Sequence, residues 1–155
     1  MGRTDSIICD FNELIFGGGG IMLPTLVIPS ACYHRMLKHI QACIPEEACG
    51  ILGGKGMNVE LVIPVTNREH SPVRFYMEPL ELLHALETLE SEQLEMNGIF
   101  HSHPTGPQIP SETDIKEFLY TGIPTLIWSY TDTGWVLRAF QICKGNYEEI
   151  GLYLE

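Results

Sequence analysis

The chain of 155 residues reads as an α/β domain in the loose sense, a mixed sheet with helices packed on it. Three observations predict this. Short apolar runs stand between Gly, Pro and Asp turns, two segments carry apolar residues at helical spacing, and the two kinds of segment do not alternate strictly. The length suits one domain with a proper core and is short for two.

Residues 1 to 22 end in Gly17 to Gly20, a run that loses much backbone freedom on ordering, so they are expected to form a loose leader before a single domain over 23 to 155. Leu26 to Ile28 suits a short strand. Ser30 is placed to N-cap a helix to about Ala42, with Met36, Leu37 and Ile40 at helical spacing. After Pro45, Ala48 to Leu52 reads as a buried strand, Gly53 to Gly56 as a turn, and Val59 to Val65 as the partner strand of a hairpin. The polar, Pro72-containing stretch Thr66 to Glu78 reads as a surface crossing. Pro79 then opens an amphipathic helix to about Leu94, with Leu80, Leu83, Leu86 and Leu89 expected on its inner face and Glu81, Glu87 and Glu90 outside. Gly98 to Phe100 suits a buried strand leading into His101. A third helix is expected from Ser111 to about Tyr120, then strands over Thr125 to Tyr130 and Val136 to Ile142 around a turn at Asp132 to Gly134, and a last strand over Ile150 to Leu154. No internal repeat is visible.

Composition narrows the function classes. The 45% apolar fraction fits a globular protein, no run approaches the eighteen or so apolar residues of a membrane span, and residues 1 to 22 lack the basic start, long apolar run and small-residue cleavage site expected of a secretory signal. The expected compartment is the cytoplasm, with no membrane partner. A formal charge of -11 and scattered Lys and Arg argue against nucleic acid. Five cysteines at irregular spacing, without a Cys-x-x-Cys pair, point to reduced, mostly buried thiols rather than a disulfide framework or a thiolate zinc knuckle.

The stretch HSHPTGPQIPSETD, residues 101 to 114, carries the chemistry. On an extended chain residues i and i+2 point the same way, so His101 and His103 can present two imidazoles to one point while Ser102 faces elsewhere. Asp114, in the first turn of the next helix, offers a third ligand. Two imidazoles and a carboxylate leave a tetrahedral Zn²⁺ one open position, the arrangement of a catalytic site. On the residues alone a second account stands equally: His-x-His is a common pair, and Ser111-x-x-Asp114 has the form of a capping box.

The full spacing decides further. His101-Ser102-His103, seven residues, Ser111, two residues and Asp114 resembles the signature of the JAMM (MPN+, JAB, Mov34) zinc metallopeptidases, with Glu47 of Pro45-Glu46-Glu47-Ala48-Cys49-Gly50 at the family's upstream glutamate. The resemblance covers about residues 23 to 143. It implies a partly barrel-like sheet flanked by helices, with cytidine-deaminase-like layering; one zinc per chain on His101, His103 and Asp114; Glu47 as general acid/base; and Ser111 assisting the oxyanion. Cys49 becomes packing rather than a nucleophile. The compact relatives imply a small peptidase or isopeptidase that cuts after the Gly-Gly tail of a ubiquitin-like or sulfur-carrier protein, with the tail pairing along an exposed strand edge. His34, His39 and His84 are ordinary surface or boundary histidines, and His70 is the one additional candidate to line the substrate groove. The alternative is a metal-free MPN-type scaffold, although such relatives lack ligands that are all present here. A RadC-like DNA protein conflicts with the acidic charge, and a zinc deaminase needs His-x-Glu and Pro-Cys-x-x-Cys, neither of which occurs.

Overall fold

The computed structural model describes residues 24–155, so the leader expected over residues 1–22 lies outside the described residues. Seven strands and three helices follow one another as β1 (Thr25–Ile28), α1 (Ser30–Cys43), β2 (Cys49–Lys55), β3 (Asn58–Val65), α2 (Pro79–Ser91), β4 (Glu95–His103), α3 (Glu112–Lys116), β5 (Thr125–Thr131), β6 (Gly134–Cys143) and β7 (Asn146–Leu154). The strands close into a barrel in the order β1-β3-β2-β4-β5-β6-β7. Closure comes from β1, which pairs in parallel with β7 and meets β3 at Val27 and Asn58. The α/β class with a barrel-like sheet is thus the observed one.

β4 is the strand that matters for function. It lies between β2, antiparallel, and β5, parallel, and is buried without interruption from Asn97 to His103. Alternate side chains serve two cores. Phe100 joins Leu26, Met36, Ile40, Leu52 and Trp128 on the α1 side, whereas Ile99 joins Cys49, Ile51, Val65, Ala85 and Leu89 on the α2 side. Because side chains alternate, His101 and His103 face the α2 side with Ile99. The β2–β4 pairing runs from Cys49↔His101 to Leu52↔Gly98 and shifts between Leu52 and Gly53, a bulge that leaves the end near the histidines in regular register. Gly50 is required there by close approach: a Cβ would stand 2.5 Å from the Phe100 ring and 2.6 Å from the Ile63 carbonyl oxygen.

Several expectations are corrected. Pro29, not Ser30, occupies the N-cap position of α1, which has no side-chain cap bond; Ser30 is the first helical residue, and its hydroxyl lies 3.3 Å from His34 Nδ1. Gly53 and Gly54 belong to β2, which runs on to Lys55, so the turn is only Gly56 and Met57. α2 ends at Ser91 and α3 at Lys116, both short of the expected ends. The buried face of α2 is Leu82, Ala85 and Leu89, while Leu80, Leu83 and Leu86 are exposed. The reason is geometric: three residues turn about 300°, so leucines at every third position fan out by about 60° per step and cannot share one face. Pro79 does occupy the helix start, capped by the Glu78 carboxylate accepting from the Glu81 N–H at 2.9 Å. Cys32, Cys43 and Cys49 are free thiols, whereas Cys143 is disulfide-bonded, contrary to the reduced state expected for it.

Candidate metal centre

The β2–β4 ladder aligns two of the candidate groups. Its register pairs Cys49 with His101, and a bond from the Ser102 N–H to the Ala48 carbonyl (3.0 Å) carries it one step further. The next step places Glu47 opposite His103, on the α2 side. Glu47 is 4% exposed, whereas Glu46 points outward and pairs with His70 at 3.2 Å. The adjacent glutamates therefore divide as alternation requires.

Asp114 arrives from the other side. The Ser111 hydroxyl accepts from the Asp114 N–H (3.0 Å) and Asp114 Oδ2 accepts from the Ser111 N–H (2.8 Å), the reciprocal capping box that starts α3. The same Oδ2 lies 3.2 Å from His101 Nε2 and 3.1 Å from His103 Nε2, and the two Nε2 atoms are 3.0 Å apart. Capping box and ligand cluster coexist, so the two accounts of Ser111 and Asp114 do not compete. Both rings are held. His103 Nδ1 donates to the Pro107 carbonyl at 2.6 Å, which leaves its Nε2 lone pair for the cluster, and Phe75 stacks on His101 with centroids 4.5 Å apart.

This donor set fits a cation. Ligand atoms about 2.0–2.1 Å from a tetrahedral Zn²⁺ stand about 3.3 Å from one another, close to the observed spacings. Two imidazole nitrogens and one carboxylate oxygen, all able to offer lone pairs, converge where few protons are available to bridge them. Among the described residues, His101 Nδ1 and Glu47 Oε2 find no hydrogen-bond partner, and both atoms are buried beside the cluster.

Electrostatics sorts the four groups. Burial pushes Glu47 up from 4.5 to about 8, with His103 opposing and the Asp114 charge adding to the rise. Burial would raise Asp114 too, but its contacts with the two imidazoles and the Ser111 N–H hold it well below the usual carboxylate range. His101 is lowered by burial, against the pull of Asp114. His103 is raised, because bonds to Asp114 and Pro107 and the charges of Asp114 and Glu47 outweigh its burial. Cys49, fully buried and donating to the Val65 carbonyl, is pushed up to about 12 by burial, the opposite of an activated thiol.

The Glu47 shift has a consequence for stability. A carboxyl whose folded pKa lies above its unfolded value contributes stability that is complete below about pH 4.5 and disappears as pH rises through about 8. In chelator-treated protein, Glu47→Gln is therefore expected to melt several degrees above wild type at pH 8.5 and no higher than wild type at pH 4.5. Equal melting temperatures at pH 8.5 would mean that burial does not penalise the Glu47 carboxylate.

A pocket of about 510 Å³ opens beside His101 and Asp114. It is mostly apolar, walled by Phe75, Met77, Leu82, Ile99, Leu119 and Ile142. Arg74 and Glu117, an ion pair, also line it. His70 does not line this pocket; it is exposed and occupied with Glu46. Three structural partners escaped the sequence reading: Phe75 against His101, Ser102 bridging to Ala48, and Asn67 beneath Glu47. Only Ser102, set between the histidines, carried any local sign.

The profile of prokaryotic homologs of the JAB domain matches residues 29–143, a span that contains Glu47, His101, His103, Ser111 and Asp114. A probable TtuB-protein conjugate cleaving protease of Thermus thermophilus is 38% identical over 129 residues, covering 83% of each chain. A desampylase of Pyrococcus furiosus is 46% identical over 92 residues, 59% of this chain and 65% of that protein. The solution structure of a protein from Desulfitobacterium hafniense aligns with a TM-score of 0.76 at 33% identity, covering 85% of this chain and 93% of the other. The chain belongs to the family of prokaryotic JAB-domain homologues, and it is an enzyme of the peptidase class. No helix among the described residues is long and apolar enough to cross a membrane.

Proposed function

We propose that residues 23–155 form a zinc-dependent peptidase domain that hydrolyses the peptide or isopeptide bond after the Gly-Gly tail of a ubiquitin-like or sulfur-carrier protein. The observation that carries this reading is the convergence of His101 Nε2, His103 Nε2 and Asp114 Oδ2 within 3.2 Å of one another, beside a buried carboxyl. Those three residues would hold the ion, one per chain. Zinc there supplies a Lewis acid that polarises a carbonyl and lowers the pKa of water toward neutrality.

Glu47 takes a proton from the attacking water and returns it to the leaving amine. A buried carboxyl beside the three ligand atoms is placed for both transfers. Ser111 uses its oxygen to accept from the Asp114 N–H, and its hydroxyl hydrogen remains to donate to the oxyanion that develops on the scissile carbonyl. No covalent intermediate is needed, in keeping with the inert Cys49 thiol. The relatives support the substrate class: one is named for cleaving protein conjugates, and another is a desampylase. The free thiols of Cys32, Cys43 and Cys49 among the described residues support a cytoplasmic placement, and the Cys143 disulfide counts against it.

A Gly-Gly tail has no side chains to fill the neighbouring apolar pocket, so an apolar residue upstream of the glycines is assigned to it. Leu119 lines the pocket yet is 83% exposed, which makes it a safe position to probe. Leu119→Glu should raise KM several-fold for a fusion with leucine upstream of Gly-Gly and leave kcat and zinc content near wild type. The reading as a whole is tested by elemental analysis together with mass spectrometry of Gly-Gly-linked fusions. Absence of cleavage by protein holding one zinc per chain, across a panel of such fusions, would refute the substrate assignment.

A further inference from the structure

We propose that Asn67 is a positioning residue that fixes the backbone of Glu47, and so aims its carboxyl; the proposal rests on Glu47 being the proton carrier. Glu47 lies two residues before the first residue of β2, where an unsupported backbone would be free to rotate. The polar crossing 66–78 supplies the support. The Glu47 N–H donates to the Ser71 carbonyl at 2.8 Å, and the Glu47 carbonyl accepts from Asn67 Nδ2 at 3.0 Å. Both backbone polar groups of Glu47 are thus held by one segment.

Asn67 is built for this role. It is 5% exposed, and its amide makes four bonds: Nδ2 donates to the carbonyls of Glu47 and Arg74 (3.0 and 2.9 Å), and Oδ1 accepts from the N–H groups of Glu69 and Tyr76 (3.0 and 3.1 Å). All four valences of the amide are used. The Oδ1 half shapes the crossing, and the Nδ2 half ties the crossing to Glu47. Arg74, the second carbonyl partner, directly precedes Phe75, which stacks on His101. One buried side chain therefore sets the distance between the strand that carries the proton carrier and the segment that braces a candidate ligand. Asn67 itself does not line the pocket, so its influence reaches the chemistry only through Glu47 and Phe75.

Asn67→Asp separates the two halves, because it keeps Oδ1 as acceptor for Glu69 and Tyr76 but turns the donor into an oxygen facing two carbonyls. Misplacement of a reacting group by about 1 Å costs on the order of a hundredfold in rate. The expected result on a Gly-Gly-linked fusion is a kcat at least tenfold lower, with KM within about twofold of wild type and one zinc per chain retained. In the Glu47→Gln background the same substitution should cause a clearly smaller loss, because the part carried by Glu47 is already gone and residues acting through one group are not additive. Wild-type kcat in Asn67→Asp, an equal loss in both backgrounds, or loss of zinc would overturn the proposal. If Asn67→Asp does not fold, Asn67→Ala takes its place with the same criteria. A fully active Glu47→Gln enzyme would remove the premise instead, and is read from that single variant alone.

Discussion

Glu47→Gln is expected to retain one zinc per chain and the native fold while losing about a hundredfold or more of its peptidase activity, the usual scale for removing a general acid/base. Glutamine preserves size and can donate to nearby acceptors, so the loss isolates proton transfer. Glu46→Gln should change activity by less than about twofold, because Glu46 faces outward and pairs with His70 in an exposed contact of little energetic weight. The comparison is sharp because the residues are adjacent in sequence and opposite in direction. Were Glu46→Gln dead and Glu47→Gln active, the assignment of the proton carrier would be wrong by one residue. Activity in both would require a different proton route.

Loss of the ligands should be more severe. His101→Ala and Asp114→Ala are expected to abolish zinc binding, as read by elemental analysis after dialysis, and to reduce cleavage to background. Asp114→Ala also breaks the capping box of α3, worth about 1 kcal/mol. Asp114→Asn distinguishes the two roles, since an amide oxygen can still accept from the Ser111 N–H but is a poorer ligand without its charge. Its expected behaviour is intact folding with weakened zinc retention. Full zinc in both alanine variants would show that the metal sits elsewhere.

The sequence made local relations legible. His101 and His103 share a side because strand side chains alternate, Ser111 and Asp114 meet because a capping box spans three residues, and the β2–β3 hairpin follows from two apolar runs around glycines. Each is decided within a few residues. Glu47 was located by its motif context, and the ladder with β4 then explains physically why it, and not Glu46, faces inward. Relations between distant segments were not legible. β1 closes the barrel against β7 across more than a hundred residues, Phe75 reaches His101 from the crossing, and Asn67 bonds Glu47 from twenty residues away. No periodicity encodes such pairings. The inner face of α2 departs from the expected one for a different reason: counting every third leucine ignores the 3.6-residue turn, which rotates Leu80 and Leu83 out to solvent and brings Leu82 and Ala85 in.

The bulge between Leu52 and Gly53 works as an expansion joint. Between it and the histidines, the β2–β4 ladder is a ruler with two-residue divisions, and deleting one residue there would exchange inward and outward neighbours and turn Glu47 away from His103. Beyond it the register has already slipped by one, and the far end of the β2–β3 hairpin finishes in a simple turn at Gly56 and Met57. Length changes at that tip are absorbed before they reach the ruled segment. Descendants of this chain are therefore free to lengthen or shorten the hairpin, whereas the stretch from Glu47 to Leu52 must keep its count.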